Sequence, residues 1–262
     1  MERPIKIVVV PDTQVRAGVP TDHIEAAGNY IVQHKPDVVV LLGDWWDMPS
    51  CNRFATNLEV ESLKLREDID AGNAAMARFM GPMIRFNKRR KDNKKSQYKP
   101  RLVYTVGNHD CQVRIPRLVE SQPILEGFLV DETTTLLEQY GFEVHPFLES
   151  VNIEGIRFCH YFVNPHSRVG SPLGGMIDTQ LKNAGFSFVQ GHAQGLKMGK
   201  HYLTDGTVRL GIVAGSFYDH YERYMGPQGN KHWQGIIQLN EVGDGSADVC
   251  ELSLNYLKRK YL

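Results

Sequence analysis

The 262-residue sequence has no excess charge of either sign, because 30 lysine and arginine residues balance 30 aspartate and glutamate residues. No net field draws the protein towards nucleic acid or an anionic membrane, so any such binding has to be local. Long apolar runs are absent too, since no stretch approaches the roughly 18–20 residues of a membrane-spanning helix. The strand-like run Ile5–Val10 follows Met1 almost directly, without the charged and then apolar segments of a signal peptide. We therefore expect a cytoplasmic protein with no membrane contact.

Cysteine is scarce and dispersed. The four cysteines, Cys51, Cys111, Cys159 and Cys250, include no Cys-x-x-Cys pair. A chain of this length buries roughly 70–75% of its unfolded surface, so its core needs no disulfide to form. The cysteines therefore indicate free thiols in a reducing compartment. Hydrophobic residues at 42% and charged residues at 23% are ordinary globular values, which excludes a disordered chain.

The N-terminal half alternates short β-branched runs with helical patterns. Buried strands are predicted at Ile5–Val10, Val38–Leu42 and Leu102–Val106. A helix capped by Thr21 separates the first two strands and ends before Pro36. Apolar residues at spacings of three, four or seven predict a long amphipathic helix over Leu58–Met83. The segment Lys88–Arg101 carries eight basic residues and one acid, which favours a solvated loop.

The C-terminal half is dominated by short strands and hairpin turns. Glu154-Gly155 and Asp205-Gly206 are typical two-residue turns between strands. Strands are predicted at Phe142–Val144, Val151–Ile153, Arg157–Cys159, Phe186–Gln190, Tyr202–Thr204, Thr207–Ile212, Gly235–Leu239 and Ala247–Leu254, and helices at Arg117–Phe128, Thr134–Tyr140 and Ile177–Ala184. The pattern favours one α/β domain over residues 1–262, built on two packed mixed β-sheets flanked by helices. Segment 88–101 is an insertion in that domain, and the strands within 196–262 close the sandwich.

Polar residues follow five of the predicted strands directly. The segments are Asp12-Thr13-Gln14, Gly43-Asp44-Trp45-Trp46-Asp47, Gly107-Asn108-His109-Asp110, His160 and Gly191-His192-Ala193-Gln194. Each alone has an ordinary explanation as a cap, a turn or a structural histidine. Together they converge on one rim of a sheet, where carboxylate, amide and imidazole donors suit Mn²⁺, Fe or Zn²⁺. A shared carboxylate allows two ions about 3.5–4 Å apart.

This ordered set of motifs resembles that of the calcineurin-like metallophosphoesterases, which are binuclear-metal hydrolases on a β-sandwich flanked by helices. The resemblance covers Ile7 to about Gln194, and the region after Gly195 carries no motif. It implies a phosphoesterase in which a metal-bridging hydroxide attacks the substrate. It also implies these roles: Asp44 bridges two metals, Asp12 holds the first, Asn108, His160 and His192 complete the second, His109 acts as acid or charge stabiliser, and Asp47 orients His109.

The sequence departs from the family pattern at two positions. Gln14 and Gln194 stand where the family has histidine, and both positions belong to the first metal. Neutral amide oxygens should bind more weakly than imidazole and prefer harder ions, so Mn²⁺ is the expected ion, with Mg²⁺, Fe or Zn²⁺ as alternatives. A mononuclear or inactive site is the other interpretation.

Several further residues have both a functional and an ordinary interpretation. His23, His166, His201, His220 and His232 are candidates to replace the missing imidazoles, or are plain surface histidines. Trp45 and Trp46 either stack on a nucleobase or pack in the core. The aromatic run Phe217–Tyr224 either lines a substrate cleft or packs. Cys111 beside His109 allows a cysteine nucleophile, which nothing else supports.

Three hypotheses on function remain open. The first is a metal-dependent phosphoesterase acting on a mono- or diester. The second is a DNA or RNA nuclease or nucleotide phosphodiesterase, with a phosphate backbone bound by Lys94, Lys95, Lys99 and Arg101. The third is a scaffold protein that has lost the chemistry, against which the five polar strand ends argue.

Overall fold

The computed structural model describes residues 4–52, 63–222 and 225–262. The strands of this part are β1 (Ile5–Val10), β2 (Val38–Leu41), β3 (Arg101–Thr105), β4 (Phe142–His145), β5 (Val151–Ile153), β6 (Ile156–Cys159), β7 (Ser187–Gln190), β8 (Leu196–Tyr202), β9 (Val208–Ala214), β10 (Gly235–Gly243) and β11 (Ser246–Ser253). The helices are α1 (Asp22–His34), α2 (Leu65–Asp92), α3 (Cys111–Ser121), α4 (Thr133–Gln139), α5 (Ile177–Ala184), α6 (Gly226–Gly229) and α7 (Leu254–Tyr261). None of these helices is long and apolar enough to cross a membrane.

The strands form two mixed sheets, which confirms the predicted fold class. The first has the order β11-β10-β1-β2-β3-β4 and the second the order β5-β6-β7-β9-β8. Strands β1 to β4 run parallel, and β10 pairs with β1 in the antiparallel sense. In the second sheet β6, β7 and β9 are parallel, with antiparallel partners at both edges.

Alternation along β1 shows how the layers are built. Ile7 and Val9 belong to the core between the two sheets, together with Phe158 of β6. Val8 and Val10 point the other way, into a second core that includes Phe79 of α2. A strand with one apolar face to each layer has a continuous apolar sequence, as Ile7–Val10 of β1 has. The first sheet is therefore buried on both faces.

Helix α2 differs from its predicted bounds. It begins at Leu65 and continues past Met83 to Asp92, and residues 58–62 of the predicted helix lie outside the described residues. The prediction of a loop over Lys88–Arg101 was therefore wrong at both ends, because Lys88 is still helical and Arg101 opens β3. Lysine and arginine are good helix formers and are favoured at a helix C-terminus, so their charge did not require a loop.

Other differences concern element ends. Helix α3 begins at Cys111 rather than Arg117, and β8 spans Leu196–Tyr202 where a strand was predicted only at Tyr202–Thr204. Helix α7 was not predicted, although its signals are present. Ser253 caps it by accepting a hydrogen bond from the Tyr256 backbone N–H at 3.2 Å, and basic residues fill its last turn. The four cysteines are free thiols, as predicted.

Candidate metal centre

The polar segments predicted to converge do so at the carboxyl ends of the parallel strands. Asp12 follows β1, Asp44 follows β2 and Asn108 follows β3, while His160 and His192 follow β6 and β7 of the second sheet. A donor atom from each of Asp44, His160 and His192 lies within 4.8 Å of the others. The candidate metal ligands therefore come from both sheets.

Asp44 is held at the centre of this group by its backbone. It has a positive φ of 48° and follows Gly43, whose own φ is 79°. A Cβ on Gly43 would lie 2.4 Å from the Gly107 backbone nitrogen, so the two turns pack too closely for any other residue there. The Asp44 Oδ1 accepts the His109 backbone N–H at 2.8 Å, and Oδ2 lies 3.3 Å from His160 Nε2.

The His160 ring is oriented as a metal ligand would be. It is fully buried, and its Nδ1 donates to the Leu42 carbonyl oxygen at 2.7 Å, which leaves Nε2 as the free nitrogen. Nε2 faces Asp44 and lies 3.0 Å from Asn108 Oδ1. Burial lowers the pKa of His160, but the Asp44 carboxylate outweighs it and raises that pKa to about 10. Burial raises the pKa of Asp44, but the nearby His160 cation outweighs burial and holds that pKa well below its usual range.

Asp12 and His192 are joined by a hydrogen bond. The Asp12 Oδ1 accepts the His192 backbone N–H at 3.0 Å, while Oδ2 is buried without a hydrogen-bond partner among the described residues. Burial, with a further contribution from Asp44, raises the pKa of Asp12 to about 7. Burial and nearby His160 lower the pKa of His192 to about 4, so its ring is neutral and able to ligate. Tyr161 packs on that ring at 4.7 Å between centroids.

These residues fit a divalent cation. Asp12 and Asp44 are two fully buried carboxyl groups, and an isolated buried carboxylate oxygen is costly unless a cation or donor meets it. The unpartnered Asp12 Oδ2 is such an oxygen. Carboxylate, amide and imidazole donors together are the set that Mn²⁺, Fe and Zn²⁺ accept.

The side chains of Gln14 and Gln194 are hydrogen-bonded to each other. The Gln194 Nε2 donates to Gln14 Oε1 at 3.3 Å, and the Tyr218 hydroxyl donates to Gln194 Oε1 at 2.6 Å. Gln14 has a positive φ of 41° and its backbone N–H bonds the Asp44 carbonyl. The two amides therefore lie beside the ligand cluster, and each amide oxygen already accepts one hydrogen bond. Tyr218 belongs to the aromatic run that sequence reasoning had left open.

His109 is fixed beside the cluster by Asp47. Its Nδ1 lies 3.1 Å from Asp47 Oδ1, and Asp47 Oδ2 pairs with Arg16 at 2.8 Å. Arg16 also pairs with Glu222, which lies 2.7 Å from His220 Nε2. Burial lowers the pKa of His109, but Asp44 and Asp47 outweigh it and raise that pKa to about 9. Nε2 is left as the nitrogen available to a substrate.

Asp110 is a residue whose role the sequence analysis missed. It is fully buried, and its carboxylate accepts four backbone N–H groups, from Gly107 at 2.7 Å, Trp45 at 2.9 Å, Asp44 at 3.1 Å and Trp46 at 3.3 Å. It thereby ties the turn after β2 to the turn after β3. Its place as the last residue of Gly-Asn-His-Asp was the available signal.

The remaining candidates are resolved by burial. Trp45 and Trp46 are both buried against α2, where their indole nitrogens bond Gly72 and Asn73, so the nucleobase-stacking interpretation was wrong. Burial raises the pKa of the Cys111 thiol well above its usual value, which removes it as a nucleophile.

The five spare histidines lie outside the ligand cluster. His23 bonds Phe217, His201 pairs with Asp178, His220 pairs with Glu222, His232 bonds Ser216, and His166 is exposed. In the run Phe217–Tyr224, Phe217 and Tyr218 are buried, while the last two residues lie outside the described part of the chain.

The basic segment lies at the far edge of the sheet. It enters β3 at Arg101, whereas Asn108 and His109 follow the other end of that strand. Five residues of strand span about 16 Å, so a phosphate at the site is out of reach of Lys99 and Arg101. Arg101 is moreover paired with Glu143 through two hydrogen bonds of 2.9 and 3.0 Å.

No protein-family model matches this sequence, and no curated protein matches it. Among solved structures, the chain is similar to YfcE, a phosphoesterase from E. coli, at 14% identity and a TM-score of 0.42, covering 96% of this chain and 100% of that one. It is also similar to a protein of Thermus thermophilus, TT1561, at 10% identity and a TM-score of 0.37, covering 95% and 99%.

Proposed function

We propose that the protein is a metal-dependent phosphoesterase that hydrolyses a phosphate mono- or diester. The observation that carries the proposal is that ligand atoms of Asp44, His160 and His192 lie within 4.8 Å of one another, with an unpartnered carboxylate oxygen of Asp12 beside them. A scaffold has no need to bury two carboxylates in this way, because their desolvation is costly without a cation.

Two divalent ions, with Mn²⁺ as the favoured metal, would be held by two overlapping groups of residues. Asn108, His160 and His192 would hold one ion, Asp12, Gln14 and Gln194 the other, and Asp44 would contact both. When bound, such ions neutralise charge on phosphoryl oxygens and activate water as a nucleophile at near-neutral pH. The glutamine side should bind more weakly, since its donors are neutral amides whose oxygens already accept hydrogen bonds.

In the proposed reaction, His109 is the proton donor. Its Nδ1 is held by Asp47, so the ring presents Nε2 to a substrate oxygen. Asp44 and Asp47 keep the ring protonated in the ion-free protein despite its burial, which suits proton transfer to a leaving group or stabilisation of developing charge. Arg16 fixes the second oxygen of Asp47 and so fixes the orientation of the pair.

The nuclease hypothesis finds no support in the placement of the basic segment. Lys94, Lys95, Lys99 and Arg101 belong to the segment at the opposite edge of the sheet from His109. A nucleic acid cleaved at the site would have to be bound by other groups.

Metal content and turnover test the proposal together. Wild-type protein, Asp44→Asn and the surface control Asp178→Asn are loaded with Mn²⁺, dialysed and analysed for bound ion. Asp44→Asn should lose most of its ion, while the control keeps it. Turnover of bis(p-nitrophenyl) phosphate and p-nitrophenyl phosphate is then measured with Mn²⁺, Mg²⁺, Zn²⁺ and chelator. Ion binding without turnover under every condition would favour a scaffold, and equal ion content in all three proteins would reject the site.

A further inference from the structure

A pocket of about 740 Å³ lies far from the metal centre. It opens between the C-terminal half of α2, the segment 97–102 and the turn that joins α4 to β4. Both β3 and β4 begin beside it, whereas the site residues follow the opposite end of β3. Its volume falls within the 300–1,000 Å³ typical of pockets for small organic molecules.

The interior of the pocket is largely apolar. Met80, Met83 and Leu102 line it, together with the rings of Tyr98 and Tyr140. Ile84, also in the lining, is 51% exposed and adds apolar surface at the mouth of the pocket. Binding of an apolar ligand would remove this apolar surface from water, which is favourable.

The walls are fastened to each other, so the pocket is preformed. The Asn87 side chain of α2 donates to the Tyr98 carbonyl at 2.7 Å and accepts the Tyr98 backbone N–H at 2.8 Å. The Tyr98 hydroxyl donates to the Pro36 carbonyl at 2.6 Å, and Arg90 bonds the Ser96 carbonyl. A ligand that enters such a pocket does not have to order a loop, which favours binding.

All charged side chains that line the pocket are positive. Lys88, Lys91 and Lys99 line the pocket, and none of them makes an ion pair with any described residue. The residues that line it, all within the described part of the chain, include no aspartate or glutamate. Elsewhere basic side chains are often paired, as Arg101 is with Glu143. An apolar interior with unpaired cations calls for a ligand with an apolar body and a negative group.

We propose that this pocket binds a small organic anion with an apolar body, such as an aromatic or acyl carboxylate, sulfonate or phosphate. Nucleic acid is the weaker match, because a phosphate backbone gains nothing from the apolar interior lined by Met80, Met83 and Leu102. This site is independent of the proposed phosphoesterase activity, since it shares no residue with the metal centre.

The probe for the test is 1-anilinonaphthalene-8-sulfonate, an aromatic anion whose fluorescence rises in an apolar site. Folded wild-type protein should bind it saturably with a stoichiometry of one, and the neutral analogue N-phenyl-1-naphthylamine should bind more weakly. Lys88→Gln, Lys91→Gln and Lys99→Gln together should weaken sulfonate binding by about 10- to 100-fold, from about 2- to 5-fold for each exposed charge contact. The matched control is Lys94→Gln with Lys95→Gln, which changes charge outside the lining and should alter affinity little.

A second variant tests the cavity rather than its charge. Met83→Trp fills the pocket and should abolish binding of both probes while metal binding at Asp44 is kept. The proposal is overturned if the wild type shows no saturable binding, if both lysine variants weaken it equally, or if Met83→Trp binds normally. Displacement of the sulfonate by an oligonucleotide but not by laurate would also overturn it, in favour of a nucleic-acid surface.

Discussion

Replacement of Asp110 by asparagine should destabilise the protein strongly, although the two side chains have almost the same shape. The Asp110 carboxylate accepts four backbone N–H groups, two on each oxygen. Asparagine keeps one oxygen and turns an NH₂ group towards two of the donors. Two buried N–H groups are then left unpaired, and each costs about 1–3 kcal/mol.

The expected loss in the free energy of unfolding is therefore about 2–6 kcal/mol. Urea unfolding at pH 8, followed by tryptophan fluorescence, measures it. Burial, and then Asp44, raises the pKa of Asp110 to about 6, so the wild-type carboxyl is ionised at that pH. Asp178→Asn, on the exposed side of α5, is the matched control and should change stability by no more than about 0.5 kcal/mol.

A second measurement separates positioning from stability alone. The Asp44 backbone N–H is one of the four donors, so the variant should also bind Mn²⁺ more weakly at temperatures where it stays folded. A loss of stability below about 1 kcal/mol would refute the count of unpaired donors. Wild-type Mn²⁺ affinity in a clearly destabilised variant would refute the positioning role.

Three other predictions follow from the same contacts. His109→Ala should lower turnover by roughly 10²–10⁴-fold with unchanged metal content, because in the proposed function the ring donates a proton and does not ligate; loss of metal measured in that variant would contradict this. Gln14→His with Gln194→His should tighten the weaker ion site and shift its preference towards Zn²⁺ or Fe in a two-site titration, whereas equal affinities would mean that neither glutamine ligates. Burial lowers the pKa of His23 to about 4, so the unfolded chain takes up a proton that the folded one excludes as pH falls below 6.5. The free energy of unfolding should thus decrease by up to about 3 kcal/mol between pH 7 and pH 4 because of His23. In urea unfolding, His23→Gln should lack this part of the decrease.

The ends of the strands were the part of the site that sequence could predict. A buried strand such as β1 reads as an apolar run, and the polar residue after it, Asp12, must lie at the sheet edge. Parallel strands place such residues at one edge, so the convergence of Asp44 and Asn108 follows from topology without any knowledge of side-chain contacts. His160 and His192 required the second sheet to pack on the first.

The place of the basic segment could not be predicted in the same way. Lys99 and Arg101 stand close to Asn108 in the sequence, which suggested that they share a substrate. The chain between them is β3, and a strand separates its two ends by more than any other conformation of the same length. Although they are close to Asn108 in sequence, these cations therefore lie at the opposite edge of the sheet.

The two glutamines show what only the packed structure supplies. Gln14 and Gln194 are far apart in sequence, and each alone is a neutral residue near a motif. In the folded chain Gln194 bonds both Gln14 and Tyr218, so the three side chains hold one another without an ion. A histidine pair at these positions would lack this mutual amide bond. In the proposed two-ion site, the glutamines would therefore keep their half formed in the absence of metal, at the cost of donors that bind borderline ions less tightly.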